Sequence, residues 1–203
     1  HVTLGPRGTE RLAARGVDRK RITILPPSVD GSRFESLSGN PVDVPCGRSM
    51  VLSVGRLSRL KGLETFEQTI PRILERRDDI QFVFVGDEHS LPKIPPRYRD
   101  NVTILGTIPP EDVPSYYQQA DLLAHPSLTD GIPRVVLEAL ASDTPVVARD
   151  VGDVAMITEN TFEVNDKFVE MVTAFESLTL DDVTPFTRES LRPKYRSFFE
   201  SFR

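Results

Sequence analysis

The sequence is poor in the residues that build disulfides and metal sites. It contains one cysteine, Cys46, no tryptophan, and three histidines, His1, His89 and His125. A single cysteine cannot form an intrachain disulfide, which favours a reducing compartment. The histidines lie far apart and lack the spacing of metal ligands, so the sequence predicts no metal site.

Long apolar runs and an excess of positive charge are also lacking. The apolar runs have the length of a strand, well short of a bilayer span, and the first residues show no signal-peptide pattern. We therefore expect a soluble cytoplasmic protein. The alternative is a cytoplasmic protein that acts at the inner face of a membrane. Asp and Glu number 30 against 25 Lys and Arg, so the net charge of −5 does not favour a nucleic-acid partner.

What the sequence does contain is a regular alternation of strand-like and helix-like segments. The 203 residues, 38% of them hydrophobic, suit one large domain with its own core. Short β-branched runs lie at 22–25, 50–54, 81–85, 102–105, 121–124 and 145–148. The later runs are apolar almost throughout, as in strands covered on both faces. Helical patterns separate them at 62–77, 110–119 and 133–142. This order predicts an α/β fold with a doubly wound, mainly parallel, Rossmann-like sheet.

The two ends of the chain fall outside that alternation. Residues 1–20 predict a weak strand, a short helix at 11–15 and a turn at Gly16, and residues 30–48 predict a connecting loop. Two C-terminal helices are predicted at 166–177 and 187–202. The second carries an aromatic stripe that we expect to pack on a neighbouring surface, formed by Leu191, Tyr195, Phe198, Phe199 and Phe202.

The loop after the strand at 50–54 concentrates positive charge. Arg56, Arg59 and Lys61 lie within six residues, between Gly55 and Gly62, where a strand leads into a helix. Free backbone N–H groups and the helix dipole favour an anion at such a point, and Arg and Lys both bind phosphate. The pattern predicts a phosphate site that is not a P-loop, with a solvated basic turn as the alternative.

The loop after the strand at 121–124 brings two carboxylates to the start of the next helix. Asp130 precedes Gly131 and Pro133, and Pro133 suits the first position of a helix. Glu138 follows among apolar neighbours, which are unusual surroundings for an idle charge. Ionised carboxylates here could accept hydrogen bonds from sugar hydroxyls. The alternative is a helix cap at Asp130 and a surface charge at Glu138.

Several segments occur in an order and spacing that is specific as a set, although each is weak alone. They are Leu25–Asp30, Ser53–Leu57, Lys61-Gly62, Phe84–Asp87, Ile104–Thr107, Ser115–Tyr117, Ala120-Asp121, Pro126–Glu138 and Ala139–Ala148. This set, over about residues 20–158, resembles the C-terminal lobe of GT4-type (group 1) retaining glycosyltransferases with the two-lobed GT-B fold.

The resemblance implies that four charged residues form the catalytic site: Asp130, Glu138, Arg56 and Lys61. The family's two carboxylates, with seven residues between them, correspond to Asp130 and Glu138. Asp130 would face the transferred sugar, and Glu138 would bind the ribose hydroxyls. Arg56 and Lys61 match the cations that bind the diphosphate.

The resemblance also implies donor contacts made by less polar residues. Gly55 would lie beside the diphosphate, and Ile108 would contact the base. The backbone that would approach the sugar and phosphate is formed by Gly131, Ile132, Pro133 and Arg134. The implied substrate is a UDP- or GDP-sugar, with no further cofactor, and the implied activity is hexosyl transfer with retention to an acceptor glycan or lipid.

Two departures from the family pattern concern chemistry. The first carboxylate is usually Glu, and Asp130 is one methylene shorter, which could change sugar preference or weaken transfer. No two aspartates stand two positions apart, so the Asp-x-Asp metal motif of the other major transferase fold is absent. We expect metal-independent transfer, in which Arg56, Lys61 and the helix start at Pro133 stabilise the leaving diphosphate.

The largest departure is the absence of an acceptor-binding lobe. Residues 1–20 resemble a remnant of its last strand and helix, residues 21–48 an interdomain linker region, and residues 49–203 the nucleotide-sugar-binding domain. An acceptor lobe in the same or another chain is therefore expected. The alternatives are a non-catalytic nucleotide-sugar-binding module or a subunit of a split transferase. His125 is interpreted as a packing residue, with a catalytic base as the alternative.

Overall fold

A six-stranded parallel sheet forms the centre of the computed structural model, which describes residues 1–34, 43–87 and 90–202. Its strands run in the order β5-β4-β3-β6-β7-β8, and every pairing between neighbours is parallel. They are β3 (Ser49–Val54), β4 (Ile80–Val85), β5 (Val102–Gly106), β6 (Leu122–His125), β7 (Val146–Arg149) and β8 (Thr161–Phe162). The predicted Rossmann-like α/β sheet is confirmed.

Helices cover both faces of this sheet and enclose two apolar cores. On one face, α2 (Leu63–Leu74) packs beside α5 (Asn165–Thr173), and the ring of Phe66 meets Phe84 edge to face at 4.9 Å between centroids. On the other face lie α3 (Val113–Gln119) and α4 (Arg134–Leu140), around the fully buried Tyr117. Because both faces are covered, the central strands bury apolar side chains on both sides, as Val51 and Leu52 of β3 show.

The two ends of the chain meet outside the main sheet. β1 (Val2–Thr3) and β2 (Thr23–Ile24) form a separate two-stranded parallel sheet, joined by α1 (Pro6–Ala13). The last helix, α6 (Arg188–Glu200), returns to the segment after β2. There Tyr195 Oη donates to the carbonyl of Pro26 at 2.6 Å, and Arg188 forms an ion pair with Asp30 at 2.7 Å.

Several predicted boundaries were wrong. The helix expected at 11–15 begins at Pro6, a residue whose fixed φ suits a first turn. The run at 22–25 pairs with β1 instead of joining the main sheet. β8 was not predicted, because two residues are too few for a periodic signal. The helices at 62–77 and 110–119 are shorter, as α2 and α3 show.

Two other expectations are met only in part. The predicted loop at 30–48 contains a 3₁₀ turn at Gly31–Phe34, and residues 35–42 lie outside the described residues, as does His89. In the aromatic stripe of α6, Leu191 is buried and Tyr195 packs on Pro26, whereas Phe199 and Phe202 are exposed. The turn at Gly16 is confirmed by its φ of +89°.

Among the described residues, no helix combines the length and the apolar character that crossing a membrane would require.

Candidate functional site

The candidate site lies where the strand order of the sheet reverses, between β3 and β6. At such a switch point the loops that leave the carboxyl ends of the two strands diverge and form a crevice. Here the loops are 55–62 after β3 and 126–133 after β6. They contact each other through Leu128 N, which donates to Leu60 O at 2.9 Å.

Gly62 permits the close approach of these two loops. Its φ is +87°, and a Cβ added there would lie 2.4 Å from the carbonyl oxygen of Pro126. Residues with a side chain rarely adopt this conformation, and the backbone contact leaves no room for one. The glycine therefore fixes how near Lys61, which precedes it, comes to the loop after β6.

Lys61, Asp130 and His125 form the most tightly connected polar group of this crevice. Lys61 Nζ donates to both carboxylate oxygens of Asp130, at 2.8 and 3.0 Å. His125 Nε2 lies 2.9 Å from Asp130 Oδ2. The Asp130 side chain is only 17% exposed. The structure thus joins a predicted diphosphate cation to the predicted sugar-facing carboxylate.

Burial and hydrogen bonding act in opposite directions on Asp130. Burial is the largest influence and on its own would raise the pKa of this carboxyl. The hydrogen bonds from His125 and Lys61 outweigh it, so the pKa of Asp130 is held well below its usual value. Asp130 is therefore a carboxylate at neutral pH. The N-cap of α4 is Pro133, so Asp130 does not cap that helix.

Arg56 belongs to the same loop as Lys61 but extends towards solvent. Its Nε lies 3.9 Å from Asp87 Oδ2, and its side chain is 61% exposed. Arg56 also lines a small cavity with Gly55, Lys61 and His125. The backbone of this loop is held by Gly55 N, which donates to the carbonyl of Val85 at 2.8 Å. The two predicted diphosphate cations thus share one loop, whose start is hydrogen-bonded to β4.

Glu138 lies in a second polar cluster on α4. Tyr117 Oη donates to Glu138 Oε2 at 3.1 Å, and Arg134 Nη2 lies 3.7 Å from Oε1. Burial raises the pKa of Glu138, against the hydrogen bond from Tyr117. With 19% of its side chain exposed, Glu138 is no ordinary surface charge. It borders a cavity of about 370 Å³ whose wall also includes Arg33 and Arg134.

The remaining predicted donor contacts occupy different surroundings. Gly131 is exposed and its carbonyl accepts from Asp153 N at 2.9 Å, whereas the side chain of Ile132 is buried in the core. Pro133, expected as the first helical residue, is the N-cap of α4, so the helix begins one residue later, at Arg134. Arg134 is exposed, and Ile108 packs against the edge of the core that contains Tyr117.

Sequence reasoning missed two partners of the carboxylates. His125 was assigned to packing, yet it contacts Asp130, and its place as the last residue of a central strand is the signal that could have shown it. Tyr117 was named only within the segment Ser115–Tyr117, yet its hydroxyl donates to Glu138. No local pattern links positions 117 and 138, because α3 and α4 meet only in the folded chain.

Within the part of the chain that the structure describes, no group of three or more His, Cys, Asp or Glu side chains is arranged to hold a metal ion. Arg56 and Lys61 bring positive charge to the crevice between β3 and β6, and Arg33 and Arg134 bring it to the cavity beside Glu138.

Comparisons with known proteins point to one family. Residues 48–181 match the family model described as "Glycosyl transferases group 1". The D-inositol 3-phosphate glycosyltransferase of Nocardia farcinica is 31% identical over 154 residues, covering 68% of this chain and 34% of that protein. The alpha-galactosylglucosyldiacylglycerol synthase of Streptococcus pneumoniae is 25% identical over 220 residues, covering 99% of this chain and 56% of that protein.

Solved structures share the same architecture. The crystal structure of Anabaena HepE in complex with UDP aligns with a TM-score of 0.77 and 16% identity, over 98% of this chain and 63% of that chain. At this identity the likeness shows the fold, which is that of a GT-B lobe. In each of these three comparisons the chain spans less than two thirds of the other protein's length.

Proposed function

This chain belongs to the group 1 glycosyl transferases, and from that membership we propose that it is the donor-binding lobe of a retaining, GT4-type glycosyltransferase. It would bind a nucleotide diphosphate sugar and present the sugar for transfer to an acceptor. The observation that carries the proposal is the ion pair between Lys61 and Asp130 at the switch point of the sheet, with Arg56 in the same loop as Lys61. That is where open parallel sheets bind their ligands.

The charges of the two polar clusters suit the parts of such a donor. Arg56 and Lys61 would bind the diphosphate through charge-assisted hydrogen bonds. Asp130, a carboxylate at neutral pH, would accept from hydroxyls of the transferred sugar together with the backbone of Gly131. Glu138 would accept from the ribose hydroxyls, and Tyr117 would orient its carboxylate.

The base and the identity of the nucleotide belong to the finer part of the proposal. Ile108 would contact the base, with Ile132, Pro133 and Arg134 forming the backbone wall of the donor site. UDP is the nucleotide bound in the HepE structure, which supports testing a UDP-sugar first and a GDP-sugar as its rival.

Stabilisation of the leaving group would not need a metal. As the bond between sugar and diphosphate breaks, negative charge grows on the diphosphate, and fixed positive charges nearby lower the barrier. Arg56 and Lys61 supply two such charges. We propose metal-independent transfer on this basis. We propose the cytoplasm as the compartment, because the single cysteine favours a reducing one.

Transfer would need an acceptor-binding lobe in addition to this one. The relatives that match this chain are longer, and the chain aligns with only part of each. In the proposed division, residues 1–20 belong with the acceptor lobe, 21–48 form the link, and 49–203 bind the donor. The acceptor would be a glycan or lipid held by the other lobe.

A thermal-shift panel tests donor binding. UDP-, GDP- and ADP-glucose at millimolar concentration are added to the chain in the presence of EDTA. We expect at least one to raise the melting temperature, and magnesium or manganese to add nothing. A rise that requires divalent metal would overturn the metal-independent proposal, and no rise with any donor would overturn donor binding.

A further inference from the structure

His125 lies at the end of a central strand of the sheet, beside the candidate site. It is the last residue of β6, which lies between β3 and β7 in the sheet, and its ring is buried. One side of the ring reaches Asp130, with Nε2 2.9 Å from Oδ2. The ring also lines the small cavity that Gly55, Arg56 and Lys61 share. His125 therefore borders both the carboxylate and the basic loop.

Lys61 and His125, whose side-chain nitrogen atoms contact Asp130, differ in how firmly they are held. Lys61 reaches the carboxylate from a half-exposed, four-carbon side chain whose ammonium group can rotate to another anion. His125 comes from a central strand and cannot follow such a movement. A diphosphate that attracts the Lys61 ammonium would remove two of the contacts of Asp130 and leave the contact with His125.

We propose that His125 is a positioning residue that keeps the Asp130 carboxylate aimed at the transferred sugar while Lys61 binds the diphosphate. This inference rests on the proposed function, since it assigns His125 a part in binding the donor. Nε2 would carry a hydrogen and donate it to Asp130 Oδ2. The consequence is selective: losing the bond should weaken recognition of the sugar and spare the diphosphate.

Two substitutions at this position separate positioning from packing. His125→Phe keeps an aromatic ring and removes the donor, whereas His125→Gln keeps an N–H donor near the place of Nε2. Calorimetry with the bare nucleoside diphosphate and with its sugar conjugate gives the affinity ratio for each protein. We expect His125→Phe to lower the affinity for the sugar conjugate about tenfold relative to the bare diphosphate, and His125→Gln to restore most of that ratio.

A double-mutant cycle with Asp130→Asn tests whether His125 acts through Asp130. We expect the double variant His125→Phe/Asp130→Asn to lose no more sugar-conjugate affinity than Asp130→Asn alone. Additive losses in the cycle, or equal losses for both ligands in His125→Phe, would overturn the positioning role. If the unsubstituted chain binds both the nucleoside diphosphate and its sugar conjugate while the variants do not show the expected affinity ratios, donor binding stands and only the positioning role of His125 is overturned. If it binds neither ligand, both are overturned.

Discussion

Lys61 and Arg56 differ in the ion pair that each would have to break to bind a diphosphate. Lys61 contacts the Asp130 carboxylate at 2.8 Å in a partly buried pair, so an incoming diphosphate competes with that carboxylate. Arg56 lies 3.9 Å from Asp87 in an exposed pair, which is weak in water. In the proposed site both positive charges would bind the diphosphate, and Lys61 would couple it to Asp130, the proposed sugar-binding carboxylate.

Substitution of either cation should weaken binding through the phosphates. Arg56→Ala and Lys61→Ala should each cost about 1.5–3 kcal/mol of nucleoside-diphosphate affinity, the scale of a charge-assisted hydrogen bond. The nucleoside without phosphates should bind equally to all variants. Arg59→Ala is the matched control in calorimetry, because Arg59 belongs to the same turn and pairs with Glu64 in solvent. A loss as large in Arg59→Ala would show that only the net charge of the turn matters.

The two carboxylates should act on different parts of the donor. Glu138→Gln should weaken both the nucleoside diphosphate and its sugar conjugate, because Glu138 is assigned to the ribose. Asp130→Asn should weaken only the sugar conjugate, because it leaves Lys61 free for the diphosphate. Calorimetry on both variants with both ligands measures the difference. The division of roles fails if Asp130→Asn reduces affinity for the bare nucleotide as much as Glu138→Gln does.

Asp130 should also contribute stability that depends on pH. A carboxyl whose pKa is lower in the folded chain than in the unfolded chain stabilises the fold above its unfolded value of about 3.9. That contribution disappears as the pH falls through the folded pKa. Urea unfolding should therefore show Asp130→Asn less stable than the unsubstituted chain at pH 7, with the difference shrinking in acid below about pH 4. A difference that stays constant with pH would contradict the ion-pair account.

At the scale of residues, charge and position could be predicted from sequence, but partners could not. Asp130, Glu138, Arg56 and Lys61 stand out because they follow strands or interrupt an apolar helix. The hydrogen bond between Lys61 and Asp130 joins positions far apart in sequence, and no local sequence pattern predicts it. The same holds for Tyr117 and Glu138, whose contact depends on how α3 and α4 pack.

The turn between β3 and α2 depends on a single glycine. Gly62→Ala places a Cβ 2.4 Å from Pro126 O at a φ of +87°, so both strain and a backbone clash are expected. Gly16→Ala is the matched control, because Gly16 has a φ of +89° and nothing within 4 Å of an added Cβ. Denaturant unfolding should show Gly62→Ala destabilised by about 1–3 kcal/mol more than Gly16→Ala, with weaker diphosphate binding. Equal destabilisation of the two variants would mean that the loop after β6 moves away from the added Cβ without a loss of stability.

Elements could be predicted from sequence where the pattern is long and buried. β3, β4 and β7 are runs of apolar residues, and α2 repeats Phe66, Ile70 and Ile73 on one face, so all four were located. β8 has two residues and depends on pairing with β7, which no window of sequence contains. α1 was placed too late because Gly8 disfavours a helix, while Pro6 at its first turn and docking on β1 stabilise it.

At the scale of the molecule, one topological feature organises the site. The sheet runs outward in both directions from β3 and β6, so two loops distant in sequence meet at its carboxyl edge. The sequence order of strands and helices was enough to predict that edge, because right-handed crossovers leave few arrangements. It could not predict that α6 would return to Pro26 and leave Phe199 and Phe202 exposed.

A crystal structure of the chain with a nucleotide diphosphate sugar tests the central claim most directly. The account predicts the diphosphate between Arg56 and Lys61, the ribose hydroxyls on Glu138, the sugar against Asp130 and Gly131, and no metal ion bridging the phosphates. A donor bound at another surface, such as the groove of about 810 Å³ that Leu91 and Ile104 help to line, would contradict it.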